Sequence, residues 1–287
     1  MKFRAVITDG LAMRDFMNIS LSLSKFSKEC IMRITTRKVY YIISEEESGP
    51  RRPLVWCELP VNFYFKEYNV VGVNDQYNEI YLEFSTGLLA RSLSILKQIV
   101  KTLKIKLTNK QSPCLTLEMD LVAEEISSQL VHDIPVEVIS RKHWSDYEEP
   151  RFNDFHVSIQ MPNLKALKNI VERMRNMSHS LIVSANKNGR LTFQIKTNVV
   201  NVAAHFTDLS VQSFAVGQIP ATTDDDEEDL NLISSTIEIK KFLMFLTGLQ
   251  ISNCRTLCSI VHGKMVKLYM EQPGALSIQV FLTELAA

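Results

Sequence analysis

The same succession of hydrophobic periods runs twice along this chain: strand, helix, several strands, helix, several strands. Corresponding helices lie about 150 residues apart, the mark of a duplicated domain. In the first half, Phe3, Ala5 and Ile7 alternate as in a strand. A helix is predicted over about 11–27, with Ala12, Phe16, Ile19, Leu23 and Phe26 on one face. Arg14, Asn18 and Lys25 point away from that face, with Lys28 close by. Strand-like runs follow at 31–34, 39–43, 54–59, 68–73 and 79–84, and the Gly/Pro-bearing stretch 44–53 reads as a loop. The second helix is predicted over about 86–100, with Ser85 as its N-cap. Leu89, Leu93, Leu96, Ile99 and Val100 form its stripe, and Arg91, Lys97, Gln98 and Lys101 oppose it. Residues 103–109 alternate Leu103, Ile105 and Leu107 with Lys104 and Lys106, and 114–120 supplies a partner strand.

The second half repeats this order. After a strand at 155–161, the stretch 162–178 places Leu164, Leu167, Ile170, Val171, Met174 and Met177 on one helical face. Lys165, Lys168 and Arg175 fall on the opposite face with Glu172 among them, and Arg173 lies at the side. Pro162 suits the first turn. Two strands then flank Asn188-Gly189, a strong hairpin turn. A strand at 199–206 follows. A fourth helix over about 240–249 buries Phe242, Leu243, Phe245, Leu246 and Leu249 and turns Lys240 outward. Three strands close the chain. Residues 121–133 fit neither period and are expected to connect a domain 1–120 to a domain 134–287. The acidic run 222–231 reads as a disordered surface loop. Strands on the apolar side of every helix imply an α+β arrangement.

Charge totals exclude a globally basic protein: Lys plus Arg equals Asp plus Glu at 32 each. Affinity for a polyanion must therefore come from the placement of charge. One basic helix face is most simply a solvated surface; its recurrence on three of four helices brings a nucleic-acid-facing reading level with that one. Five cysteines without paired spacing predict reduced thiols. No apolar run approaches the roughly eighteen residues of a membrane span. Charges inside the first apolar run argue against a secretory signal, so a soluble intracellular protein is expected. No phosphate loop, zinc-protease helix, nucleophile elbow or dinucleotide fingerprint is present, and the six histidines are scattered. No catalytic residue, metal site or cofactor is predicted.

Ten segments taken in order carry a resemblance: MKFRA (1–5), VWCEL (55–59), NEIYLE (78–83), LKIKLTNK (103–110), PCLT (113–116), VHDIP (131–135), RKHW (141–144), VERMRNMS (171–178), HFTDL (205–209) and GKMV (263–266). Through them the chain resembles the sliding-clamp fold of proliferating cell nuclear antigen, and within it the HUS-type subunit of the checkpoint clamp, the nine-one-one ring. The resemblance implies two topologically similar domains with curved antiparallel sheets outside and four helices lining the inner face. It further implies a non-catalytic subunit in a heterotrimeric ring with two paralogous clamp subunits. A clamp loader would place the ring on double-stranded DNA at damage, where it signals the DNA damage checkpoint and recruits repair enzymes. Localisation would be nuclear, with some cytoplasmic protein. DNA-facing residues carried over are Arg14, Lys25, Lys28, Arg91, Lys97, Lys101, Lys165, Lys168, Arg175 and Lys240. A partner pocket would be bordered by Ile134, Pro135, Phe281 and Leu282, and 121–133 would be the interdomain connecting loop. Clamp subunits join through edge strands, expected here at 114–120 and in the hairpin around Asn188-Gly189. The alternatives are a homotrimeric polymerase processivity clamp, a scaffold that never encircles DNA, and an enzyme with an unrecognised site.

Overall fold

The computed structural model describes residues 1–44, 53–97, 100–121, 128–150, 152, 154–215, 232–248 and 254–285. The chain forms two compact units: Met1–Glu149 with Gln272–Ile278, and Pro150–Glu271 with Gln279–Ala287. The division therefore falls at Glu149/Pro150 and not across 121–133.

The first unit runs β1 (Lys2–Ile7), α1 (Gly10–Leu23), β2 (Glu29–Ile34), β3 (Lys38–Ser44), β4 (Pro53–Pro60), α2 (Val61–Tyr64), β5 (Glu67–Val71), β6 (Ile80–Ser85), α3 (Thr86–Leu93), β7 (Val100–Asn109), β8 (Pro113–Leu121) and β9 (Ser128–Val138). Its strands form one antiparallel succession, β4-β3-β2-β6-β9-β8-β7-β1-β5. The rest of the chain repeats the order: β10 (Val157–Gln160), α4 (Leu164–Arg175), β11 (Ser180–Ala185), β12 (Leu191–Lys196), β13 (Asn201–Phe206), β14 (Val211–Phe214), β15 (Ile233–Glu238), α5 (Ile239–Gly248), β16 (Arg255–Val261), β17 (Met265–Gln272) and β18 (Leu276–Thr283), of which Gln272 and Leu276–Ile278 are grouped with the first unit. Here β14-β10-β16-β17 run side by side, and β13-β12-β11-β15 form a separate four-stranded sheet. Among the described α-helices and strands, only α2, a single turn, lacks a counterpart.

Each helix pair shares one apolar layer with its sheets. Phe16 of α1 lies 6.3 Å from the Tyr41 ring of β3 and 6.2 Å from Phe65. Phe242 of α5 lies 5.4 Å from Phe193 of β12. Burying such side chains contributes about 1.5–3 kcal/mol each. Helix α1 packs beside α3, and α4 beside α5.

Several boundaries move from their expected places, each for a local reason. Helix α1 stops at Leu23 and not at 27. The hydroxyls of Ser20, Ser22 and Ser24 donate back to the carbonyls of Phe16, Asn18 and Leu21 at 2.7–2.9 Å. Such bonds compete with helix continuation. Phe26 still reaches the core from the turn. Helix α3 stops at Leu93 and tightens into a 3-10 turn, Ser94–Lys97, and Val100 and Lys101 open strand β7. Pro162 sits before the α4 cap, where the N–H groups of Lys165 and Ala166 donate to Asn163 Oδ1 at 3.0 and 3.2 Å. Of the expected connector, residues 128–133 are strand, antiparallel to β8 from Leu121↔Ser128 to Cys114↔Pro135. The acidic run 222–231 and most of the 44–53 loop lie outside the described residues.

The expected ring edges also move. Strand β8 is paired on both sides, by β7 and β9, and both strands of the Asn188-Gly189 hairpin are interior to their sheet. The longer open edges are elsewhere. Strand β9 pairs with β6 only across Val136–Val138, so its opposite side from 128 to 135 has no described partner. Strand β13 pairs with β12 alone. At the far edge of the same sheet, Leu285 N–H donates to Thr236 O at 2.8 Å and the Thr236 N–H donates to Glu284 Oε2 at 2.7 Å, which closes β15.

Gly189 has φ +81°, and a Cβ there would lie 2.4 Å from Leu209 O. Gly263 has φ +59° with nothing within 4 Å. Gly189→Ala should therefore cost about 2–3 kcal/mol and Gly263→Ala about 1 kcal/mol. Urea midpoints of the two variants check this order.

Candidate nucleic-acid interface

The exposed faces of the four long helices carry the basic candidates. On α1 the apolar stripe includes Ala12, Met13, Phe16, Met17 and Ile19 and leaves Arg14 in solvent. Lys25 and Lys28 are exposed but lie past the helix end, in the turn leading to β2. Arg91 is exposed on α3, its Nε donating to Gly87 O at 3.2 Å. Lys97 belongs to the 3-10 turn, and its side chain lies outside the described residues. Lys101 is exposed on β7, so its assignment to a helix face is corrected.

Helix α4 comes nearest to the expected geometry. Leu167, Val171 and Met174 are at most 1% exposed, while Lys165 and Arg175 stand in solvent. Lys168 is half-buried and lies 3.6 Å from Glu172 one turn on. Arg173, placed only at the side by the periodicity, is exposed and joins Lys165 and Arg175. Met177 falls beyond the helix and is exposed, so the stripe is shorter than expected. On α5, Lys240 is exposed and Lys241 is held 3.4 Å from Glu238.

The lysines of the sheets behave differently. Lys104 lies 3.2 Å from Asp120, Lys106 2.7 Å from Glu118, and Lys110 2.6 Å from Asp133. Hydrogen bonds from Gln129 and then Lys104 hold the Asp120 carboxyl below the usual range. Bonds from Lys110 and Thr116 do the same for Asp133. These three charges are thus locally neutralised. Among the described residues, Lys25, Lys28, Lys165, Arg173, Arg175 and Lys240 have no such ion pair.

Three of the four pocket residues are buried. Ile134 is 1% exposed in β9, and Phe281 and Leu282 are 4% and 1% exposed in β18. Only Pro135 offers surface. In the second unit the exposed material beside Phe281 is Phe152, 5.7 Å away ring to ring. Lys267 Nζ stands 5.5 Å from Phe155, 5.6 Å from Phe281 and 6.0 Å from Tyr269. Nothing in the sequence marked this aromatic group, because its members come from three separate segments.

No group of three or more His, Cys, Asp or Glu side chains among the described residues could hold a metal ion. Among the described residues, no helix is long and apolar enough to cross a membrane.

A family model described as Hus1-like protein matches residues 1–286. The chain belongs to the Hus1-like family. It is 39% identical to "Checkpoint protein HUS1" of Homo sapiens over 290 residues, covering all of both chains. It is 29% identical to "Checkpoint protein Hus1-like" of Drosophila melanogaster, covering 88% of each. Among solved structures it superposes on the PCNA of Thermococcus kodakaraensis with TM-score 0.67 at 15% identity, covering 98% of this chain and 99% of that one. PCNA from Entamoeba histolytica gives 0.68 at 12% identity, with 99% of each chain covered. At such identity the likeness concerns the fold, and the Hus1-like chain has the sliding-clamp fold.

Replacing Lys165, Lys168 and Arg175 together by Glu should leave the thermal midpoint within a few degrees of the parent. Substitutions at the exposed Lys165 and Arg175 usually stay within about half a kcal/mol each, and replacing the Lys168–Glu172 attraction by a like-charge pair costs a similar amount. Leu167→Asp or Met174→Asp should instead unfold the second unit, since an unpaired buried carboxylate costs several kcal/mol. Circular dichroism melts of the three variants distinguish the outcomes.

Proposed function

We propose that this chain is a non-catalytic subunit of a heterotrimeric DNA sliding clamp that acts in the DNA damage checkpoint. Two paralogous clamp subunits complete the ring, a clamp loader places it on DNA at damage, and checkpoint and repair proteins dock on it. The observation that carries this reading is the Hus1-like match over 1–286, joined to full-length similarity with the human checkpoint protein. Nuclear localisation, with some cytoplasmic protein, follows from it.

The helix faces suit sequence-independent contact. Arg14, Arg91, Lys165, Arg173, Arg175 and Lys240 are exposed side chains that would meet phosphates and read no base edges. Lys25, Lys28 and Lys101 would add charge from flanking segments, and Lys168 would contribute less because Glu172 competes for it. Docking proteins would meet Pro135 and the surface of Phe152, Phe155 and Lys267, with Phe281 and Leu282 as its buried support. The open edges of β9 and β13 each offer unpaired backbone groups to the strand of a neighbouring subunit. A homotrimeric processivity clamp is not favoured, because kinship to PCNA is at the level of fold whereas kinship to Hus1 proteins spans the sequence.

Two measurements test the reading. The isolated chain should sediment as a monomer and form a 1:1:1 species with its two paralogous subunits; a stable self-trimer would sink the proposal. With the ring loaded on nicked circular DNA, the triple Glu variant should weaken retention equally on every sequence. Each lost phosphate contact should flatten the plot of log affinity against log salt by about one unit. An unaltered slope would remove α4 from the DNA-facing set.

A further inference from the structure

Strand β9 carries a polar side chain where its neighbours are apolar. Its residues alternate between the two faces of the sheet: Val131, Asp133 and Pro135 are exposed, whereas Ile134 and Val136 are buried. Leu130 and His132 belong to the inward set and are only partly covered. His132 lies opposite Leu117 of β8, and its Nδ1 is buried without a hydrogen-bond partner among the described residues. It sits within the eight-residue stretch, 128–135, that has β8 on one side and no described strand on the other. A half-buried imidazole is tolerable there while its other edge still touches water. Covering that edge with a second strand removes the water, so the covering strand must supply a hydrogen bond or leave the imidazole unsatisfied.

The other long open edge of this chain cannot supply it. On β13 the inward residues are Val202, Ala204 and Phe206, with the Phe206 ring 6.0 Å from the core ring of Phe193. None of the three has a hydrogen-bonding side chain. The polar residues Asn201 and His205 project on the other face, where they already bond Gln194 and Thr192 at 2.7 and 3.0 Å. A slip of two residues keeps the same face inward, and a slip of one turns the apolar set out to solvent. No sheet-continuing register of β13 from a second copy therefore satisfies His132.

We propose that His132 selects the neighbour of strand β9. It disfavours a second copy of this chain and favours an edge strand from a different subunit that sets a hydrogen-bonding side chain opposite the imidazole. This rests on the ring reading above and adds to it a reason why the ring is mixed. Specificity of this kind works through the unpaired polar group left in the wrong complex.

The test is His132→Leu, with His132→Asn as a variant that keeps a polar group. Sedimentation equilibrium of each isolated chain and titration with each paralogous subunit are the readouts, with urea unfolding to verify that both variants fold. His132→Leu should gain concentration-dependent self-association and lose about tenfold in affinity for the subunit that joins β9, the effect of one interfacial hydrogen bond. His132→Asn should remain monomeric. If His132→Leu stays monomeric, or binds both subunits as the parent does, the role assigned to His132 is wrong. Self-assembly of the parent chain, or its failure to bind either subunit, would instead overturn the ring reading itself.

Discussion

Strand β9 is the constraint on which the first unit depends. It pairs with β8 across eight residues and then with β6 across three, and so joins the two halves of the strand succession. A strand that changes neighbour part-way along must leave one side open before the change. Backbone donors and acceptors on that side are left to water in the isolated chain, and an edge of this length is a template for another strand. The shorter terminal strands β5 and β14, of five and four residues, offer far less to pair with.

Much of this architecture was legible in the sequence because helical stripes are redundant. Phe16, Ile19 and Leu23 fix the face of α1, and Leu167, Val171 and Met174 fix that of α4, whichever residue ends the helix. The ends themselves depend on hydroxyl-to-carbonyl bonds and a cap amide, which carry no period. In α3 the apolar run Leu96, Ile99, Val100 extends the stripe in sequence while the backbone tightens and then turns into β7. Periodicity cannot separate these when a strand follows a helix directly.

The misreading of 121–133 as a connector and of β8 as an edge have one cause. An interior strand whose outer face is polar looks exposed, and an open strand that mixes His132 with Leu130 and Ile134 looks irregular. Strand β8 carries Glu118 and Asp120, which in sequence suggest solvent, yet both are matched by lysines of β7. Strand β9 keeps the alternation of its faces, but His132 interrupts the apolar set between Leu130 and Ile134. Side-chain pattern reports burial of faces; pairing of edges is a backbone property that it reports only indirectly. The aromatic group of Phe152, Phe155, Tyr269 and Phe281 around Lys267 was illegible for a related reason, since no segment contains more than two of its members.

A chain with no net charge can still present a basic surface if its acids are spent elsewhere, and this one spends them on the sheets. Asp120, Glu118, Asp133, Glu58 and Glu79 each meet a lysine or arginine on a strand or its flanking turn. Several of these pairs are partly shielded, so they persist as salt rises. The helix cations without partners are then the charges free to exchange counterions for phosphates. Glu172 marks the limit of that segregation: it lies on α4 itself and holds Lys168. Removing the Glu172 carboxylate would free a fourth cation on the face that already carries Lys165, Arg173 and Arg175. Grip on a polyanion through this helix is therefore set below the maximum that its own composition allows. In the ring proposed above, such a moderated hold would retain the duplex without fixing its position.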